Sequence, residues 1–140
     1  MTTFEEDAEL EAILNNKLKK LMKSQKESPK YQGGKVYHLD PITLDEFINN
    51  FKISLVDFWA EWCPPCHILS PIIEELATEY REIGFGKVDV ERYPDIASYY
   101  GVVNLPTLLL FYNGRVVDYI VGAVPKEYIE AKIRRFNDVA

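Results

Sequence analysis

The chain holds two cysteines, and they stand three residues apart in Trp62-Cys63-Pro64-Pro65-Cys66-His67. Two thiols at that spacing suit two-electron exchange. One, as thiolate, attacks a disulfide, and the second resolves the mixed disulfide by attacking the first sulfur. Ahead of them, Leu55, Val56 and Phe58 with flanking Trp59 read as a buried strand, apolar on both faces. Behind them, Ile68, Leu69, Ile72, Ile73, Leu76 and Tyr80 recur at three- and four-residue spacing, the pattern of an amphipathic helix. Both cysteines thus fall where a strand gives way to a helix N-terminus, and one helical turn brings them to the same side. Unpaired N–H groups and the positive end of the helix dipole favour a thiolate there. Pro64 and Pro65 suit a first turn, where little is lost with their missing N–H groups. By position Cys63 is the nucleophile, with the more exposed sulfur, and Cys66, one turn inside, is the resolving thiol. A pair of inert core cysteines is the bland reading, and it fits Trp-Cys-Pro-Pro-Cys poorly.

The stretch Val56-Asp57-Phe58-Trp59-Ala60-Glu61-Trp62-Cys63-x-Pro65-Cys66 resembles the active-site segment of the thioredoxin family almost residue for residue. Further matches follow in the family's order at Pro71, Lys87, Leu105-Pro106-Thr107 and Gly122, so the resemblance spans all but an N-terminal arm. It implies a thiol–disulfide oxidoreductase that reduces protein disulfides through Cys63 and Cys66. No bound cofactor is needed, since the cysteines carry the two electrons. Thioredoxin reductase would be the electron donor and oxidised proteins the acceptors. It also implies that Asp57, costly inside an apolar strand unless paired or protonated, takes the proton of Cys66 during resolution, with Lys87 as its partner. A solvated strand face is the bland alternative for Asp57. Pro106 would be cis against the disulfide, and Trp62, Leu105 and Gly122, with Pro64 and Pro65, would form the substrate surface around Cys63. Trp59 reads as packing beneath the site, and Pro71 as a kink in the helix.

Two positions depart from the family. Pro64 stands where most members have Gly, which removes an N–H near the sulfur and stiffens the loop. His67 stands where Lys or Arg is more usual. A protonated imidazole there would favour thiolate, although a helix-surface histidine is more often simply solvated. Competing readings come from other classes. Within the fold, a disulfide oxidase or isomerase is the runner-up. Cys63-Pro-Pro-Cys-His67 also fits the c-type haem attachment pattern, with His38, Met1 and Met22 as further axial candidates. A zinc site is weaker, because no second close pair of ligands exists. A thioredoxin-like binding module would hold partners on the Trp62 and Pro106 surface without turnover.

The elements that must position this site can be read around it. The 140 residues suit one main domain, and 47% hydrophobic with 13% aromatic residues argues against disorder. A net charge of −6 speaks against nucleic acid or an anionic membrane as partner. No run is long and apolar enough for a membrane span, and the acidic start Met-Thr-Thr-Phe-Glu-Glu-Asp is unlike a secretion signal, so the expected compartment is the cytoplasm. Residues 1–35 divide from residues 36–140. The first part is an amphipathic helix over 4–26, with Leu10, Ile13, Leu14, Leu18, Leu21 and Met22 on one face, and a linker. That helix either packs its stripe on the domain or serves docking or self-association. The second part reads β-α-β-α-β-α-β-β-α: a strand at 36–39, a helix carrying Leu44, Phe47, Ile48 and Phe51 capped by Asp40 or Thr43, the active-site strand and helix, a strand at 83–90, a short helix at 93–100 stopped by Gly101, a hairpin turning at Asn113-Gly114, and a last helix opened by Pro125. The expected fold is α/β: a central mixed sheet of about five strands with helices on both faces, the thioredoxin fold, plus the N-terminal helix.

Overall fold

The computed structural model describes residues 4–27 and 30–137. The chain divides after Tyr31 into two compact units. The first holds one helix, α1 (Phe4–Glu27), on which Leu10, Ile13, Leu14 and Leu18 form an exposed stripe.

The second unit runs β1 (Val36–His38), α2 (Pro41–Asn50), β2 (Ile53–Trp59), α3 (Pro64–Glu79), β3 (Gly84–Asp89), α4 (Pro94–Tyr99), β4 (Thr107–Tyr112), β5 (Arg115–Val121) and α5 (Lys126–Asn137). Its five strands make one mixed sheet in the order β1-β3-β2-β4-β5. β1 and β2 lie parallel to β3, whereas β2 pairs β4, and β4 pairs β5, antiparallel. β2 is therefore the middle strand, bonded on both edges. Six of its seven residues are buried, which is why it reads as apolar on both faces.

Alternation along β2 sends its side chains to two different layers. Ile53 and Leu55 join Leu69, Ile73, Leu76 and Ala77 of α3 and Ile129 and Ile133 of α5 in the main core. Phe58 points the other way, edge-on to Tyr100, which in turn meets Phe111. Gly86 of β3 lies where a Cβ would strike Leu39 and Phe47, so the α2 layer can close onto the sheet only over a glycine. Local chemistry sets the ends of these elements. Asp40 caps α2, accepting the N–H groups of Ile42 and Thr43, while Thr43 Oγ1 accepts the Asp40 N–H in return. Asn113 and Gly114 both take positive φ, the requirement of the tight hairpin turn between β4 and β5.

One expectation for α3 is corrected. Leu69, Ile73, Leu76 and Ala77 are buried, but Ile68 is 63% exposed. The inward face is centred on the line through Cys66, Leu69 and Ile73, and Ile68 falls about 100° from Leu69 around the helix. Leu69→Ala should therefore cost about 2–5 kcal/mol in urea unfolding, and Ile68→Ala within about 0.5 kcal/mol. Equal losses at the two positions would show that this facing is wrong.

Candidate active site

β2 delivers the chain to the site and a tight turn hands it to α3. The Cys63 N–H donates to the Ala60 carbonyl at 3.2 Å, closing that turn. Cys63 is the N-cap of α3 in extended backbone, Pro64 and Pro65 begin the helix, and Cys66 follows. A disulfide joins Cys63 to Cys66. The Cys66 N–H is shared between the Cys63 carbonyl at 3.1 Å and Cys63 Sγ at 3.3 Å, so the sulfur occupies the place that a side-chain oxygen takes in an ordinary cap. With two prolines ahead of it, Cys66 supplies the one N–H of the first three helical residues. A cap atom binds the second or third of these positions, and the donor missing at Pro64 belongs to the first, where proline is least disruptive. Pro64 thus takes less from the sulfur than its sequence position suggests.

Cys63 is not the more exposed residue of the pair: Cys63 and Cys66 are each 2% exposed. Capping turns the Cys63 sulfur toward the helix end, and Trp59, Val90 and Leu105 pack against the pair and Ala60.

Asp57 lies on the same side of β2 as Leu55, facing the α3 layer, and is fully buried. Neither carboxylate oxygen has a hydrogen-bond partner among the described residues. Lys87 is its register partner on β3, yet no ion pair joins them. The Lys87 ammonium donates instead to Ser70 Oγ at 2.8 Å and stands 4.8 Å over the Trp59 ring. Loss of hydration pushes the Asp57 carboxyl up from 3.8 to about 7, and the Lys87 charge opposes that only in part. Asp57 can therefore exchange a proton near neutrality.

The surface beside the sulfurs is apolar. A groove of about 380 Å³ is lined by Trp62, Val90, Val103, Asn104 and Leu105, among others. Trp62 is 66% exposed. The Leu105–Pro106 peptide is cis, and the Pro106 carbonyl accepts the Gly122 N–H at 2.8 Å. Gly122 has φ +96°, a backbone that side chains rarely adopt, although the space around it is open. Trp62 and Leu105 thus share one wall, Gly122 is tied to Pro106, and Pro64 and Pro65 are exposed at the start of α3. The exposed His67 ring meets the Trp59 ring edge-on, and its Nε2 donates to the Glu61 carbonyl at 2.7 Å. Sequence reasoning missed Ser70, Val90, Val103 and Asn104. Ser70 alone carried a signal, four residues after Cys66 and so on the same helical side.

A thioredoxin family model matches residues 35–135. The chain belongs to the thioredoxin family. Over 89 residues it is 46% identical to thioredoxin 2 of Chlorobaculum tepidum, covering 63% of this chain and 82% of that one. Over 92 residues it is 42% identical to the thioredoxin of Porphyra purpurea, with 65% and 86% covered. The solved structure of a single-site mutant of a Halobacterium salinarum thioredoxin superposes with a TM-score of 0.72 at 30% identity, covering 76% of this chain and 95% of that one. The family and the paired sulfurs make this chain a thiol–disulfide oxidoreductase. Among the described residues no group of three His, Cys, Asp or Glu side chains could hold a metal ion.

The raised Asp57 value has a consequence for stability. Between about 3.8 and about 7 the folded state holds a proton that the unfolded state has lost, so stability falls as pH rises through that window and levels off above it. Asp57→Asn removes the titration. Its stability relative to the parent should therefore improve by roughly 2–3 kcal/mol between pH 5 and pH 8.5 in urea unfolding. A difference that does not change with pH would mean that Asp57 keeps its ordinary acidity.

Proposed function

We propose that Cys63 attacks the substrate disulfide and that Cys66 resolves the product, with Asp57 as proton acceptor. The observation that carries this reading is the position of Cys63 Sγ at the α3 N-terminus, accepting the Cys66 N–H. The Cys63 thiolate displaces one substrate sulfur as thiolate and forms a mixed disulfide. The Cys66 thiol passes its proton to the Asp57 carboxylate and, as thiolate, attacks the Cys63 sulfur. The Cys63–Cys66 disulfide closes and the second substrate sulfur leaves. Two electrons have moved to the substrate, whose two thiolates take up protons from Asp57 and water.

The groove between Trp62 and Leu105 is the proposed seat of an extended, apolar substrate segment. Gly122 and Pro106 keep the neighbouring backbone in place, and the exposed Pro64 and Pro65 border the sulfurs. Residues 36–140 carry the chemistry in this reading. A dithiol of this kind has to be re-reduced after each turnover, and the family likeness supports thioredoxin reductase as the electron donor, oxidised proteins as acceptors and the reducing cytoplasm as the compartment.

Cys63→Ser should abolish disulfide reduction, whereas Cys66→Ser should accumulate a mixed disulfide visible as a mass increase; full turnover by either variant would break the assignment. Equilibration in thiol redox buffers, read by thiol alkylation, separates a reductase from an oxidase. A potential near about −270 mV fits the reductase, and one nearer about −120 to −180 mV would move the protein to disulfide formation or isomerisation.

A further inference from the structure

Asp57 and Lys87 face each other across β2 and β3 in register, on the same side of the sheet. With hydration excluded, an ammonium and a carboxylate so placed attract strongly. The carboxylate nevertheless has no hydrogen-bond partner among the described residues, while the ammonium is held elsewhere. Its two contacts are the Ser70 hydroxyl on α3 and the face of the Trp59 ring. A ring face alone attracts a cation only weakly at a partly exposed site, so the directional contact is the bond to Ser70.

We propose that Ser70 is a positioning residue, whose hydroxyl holds the Lys87 ammonium toward α3 and Trp59 and so leaves the buried Asp57 carboxylate unpaired and basic. This rests on the proton role given to Asp57 above and adds the group that controls it. The elements packed around Asp57 leave few others to do so. β4 sets Leu108 beside it, α3 sets Cys66, Leu69 and Ser70 on the facing side, and Lys87 of β3 is the charged group that acts on it. Burial raises the carboxyl to about 7 only while that charge stays at its present distance. A serine is suited to the task because it accepts from the ammonium without adding a charge of its own. Its position one turn past Cys66 places it on the helical side that looks toward the sheet.

The test compares the full chain with Ser70→Ala and Ser70→Thr. Asp57 is followed by carbon-13 titration of its carboxyl in the oxidised protein, assigned by its loss in Asp57→Asn. Resolution is followed as release of the second thiol from a preformed mixed disulfide at Cys63. In Ser70→Ala the ammonium is free to swing to Asp57, and the titration midpoint should fall by about one pH unit. The acid limb of the resolution profile should move down with it, and the plateau above should drop a few-fold, because a weaker base takes the Cys66 proton less readily. Ser70→Thr, which keeps the hydroxyl, should restore both. A midpoint unmoved in Ser70→Ala overturns the role of Ser70. A midpoint that moves while the resolution profile stays fixed upholds Ser70 as the group that places Lys87 and overturns the proton role of Asp57.

Discussion

The N–H groups that begin a helix need acceptors that the helix itself does not supply, and in α3 a sulfur atom shares that task with the Cys63 carbonyl. The rest of the second unit can be understood as the means of bringing a sulfur to that point and holding it. β2 sits in the middle of the sheet, so its C-terminal end cannot shift without breaking ladders on both sides. The Ala60 carbonyl closes the turn, and two prolines fix the first helical positions while offering no competing donors. The remaining N–H belongs to Cys66. In the proposed mechanism, the residue that resolves the mixed disulfide also donates the hydrogen bond that favours charge on the residue that starts the reaction. Both roles follow from a spacing of three.

A second constraint lies one layer below. Asp57 places a carboxyl in the most buried strand, where ionisation is opposed by lost hydration and only partly helped by Lys87. Folding alone would be better served by an apolar residue there. In the proposed mechanism, the group that weakens the fold above neutral pH is the one that accepts a proton near it. Stability and chemistry therefore pull in opposite directions at a single side chain, as is common where a fold houses a reaction.

The parts of this arrangement that were legible in the sequence are those set by local chemistry. Asn113-Gly114 announces its turn because few other pairs accept two positive φ values. Pro64 and Pro65 mark a helix start, and Asp40 with Thr43 carries a cap in four residues. Order and kind of the strands followed from periodicity in the same way. What could not be read was set by packing between distant segments. Ile68 and Leu69 are equally apolar, and only the seating of α3 on the sheet decides which one is buried. Cys63 looks exposed on the helix tip until distant Val90 and Leu105 are packed against the cluster it forms with Ala60 and Cys66. The direction of the Lys87 ammonium depended on Ser70, seventeen residues away, a residue with no chemistry of its own to draw notice.

The placement of Trp59 gives the molecule an optical property that its chemistry does not require. Trp59 packs against the cluster of Ala60, Cys63 and Cys66, its ring lies under the Lys87 ammonium, and its buried N–H has no partner among the described residues. A disulfide close to an excited indole accepts an electron from it and darkens its emission, and opening the bond removes the acceptor. Trp62, the other tryptophan, stands largely in water and emits to the red of a buried indole. The blue part of the emission spectrum is thus a built-in gauge of the sulfur pair, readable without any label, while the red part reports what lies in the groove.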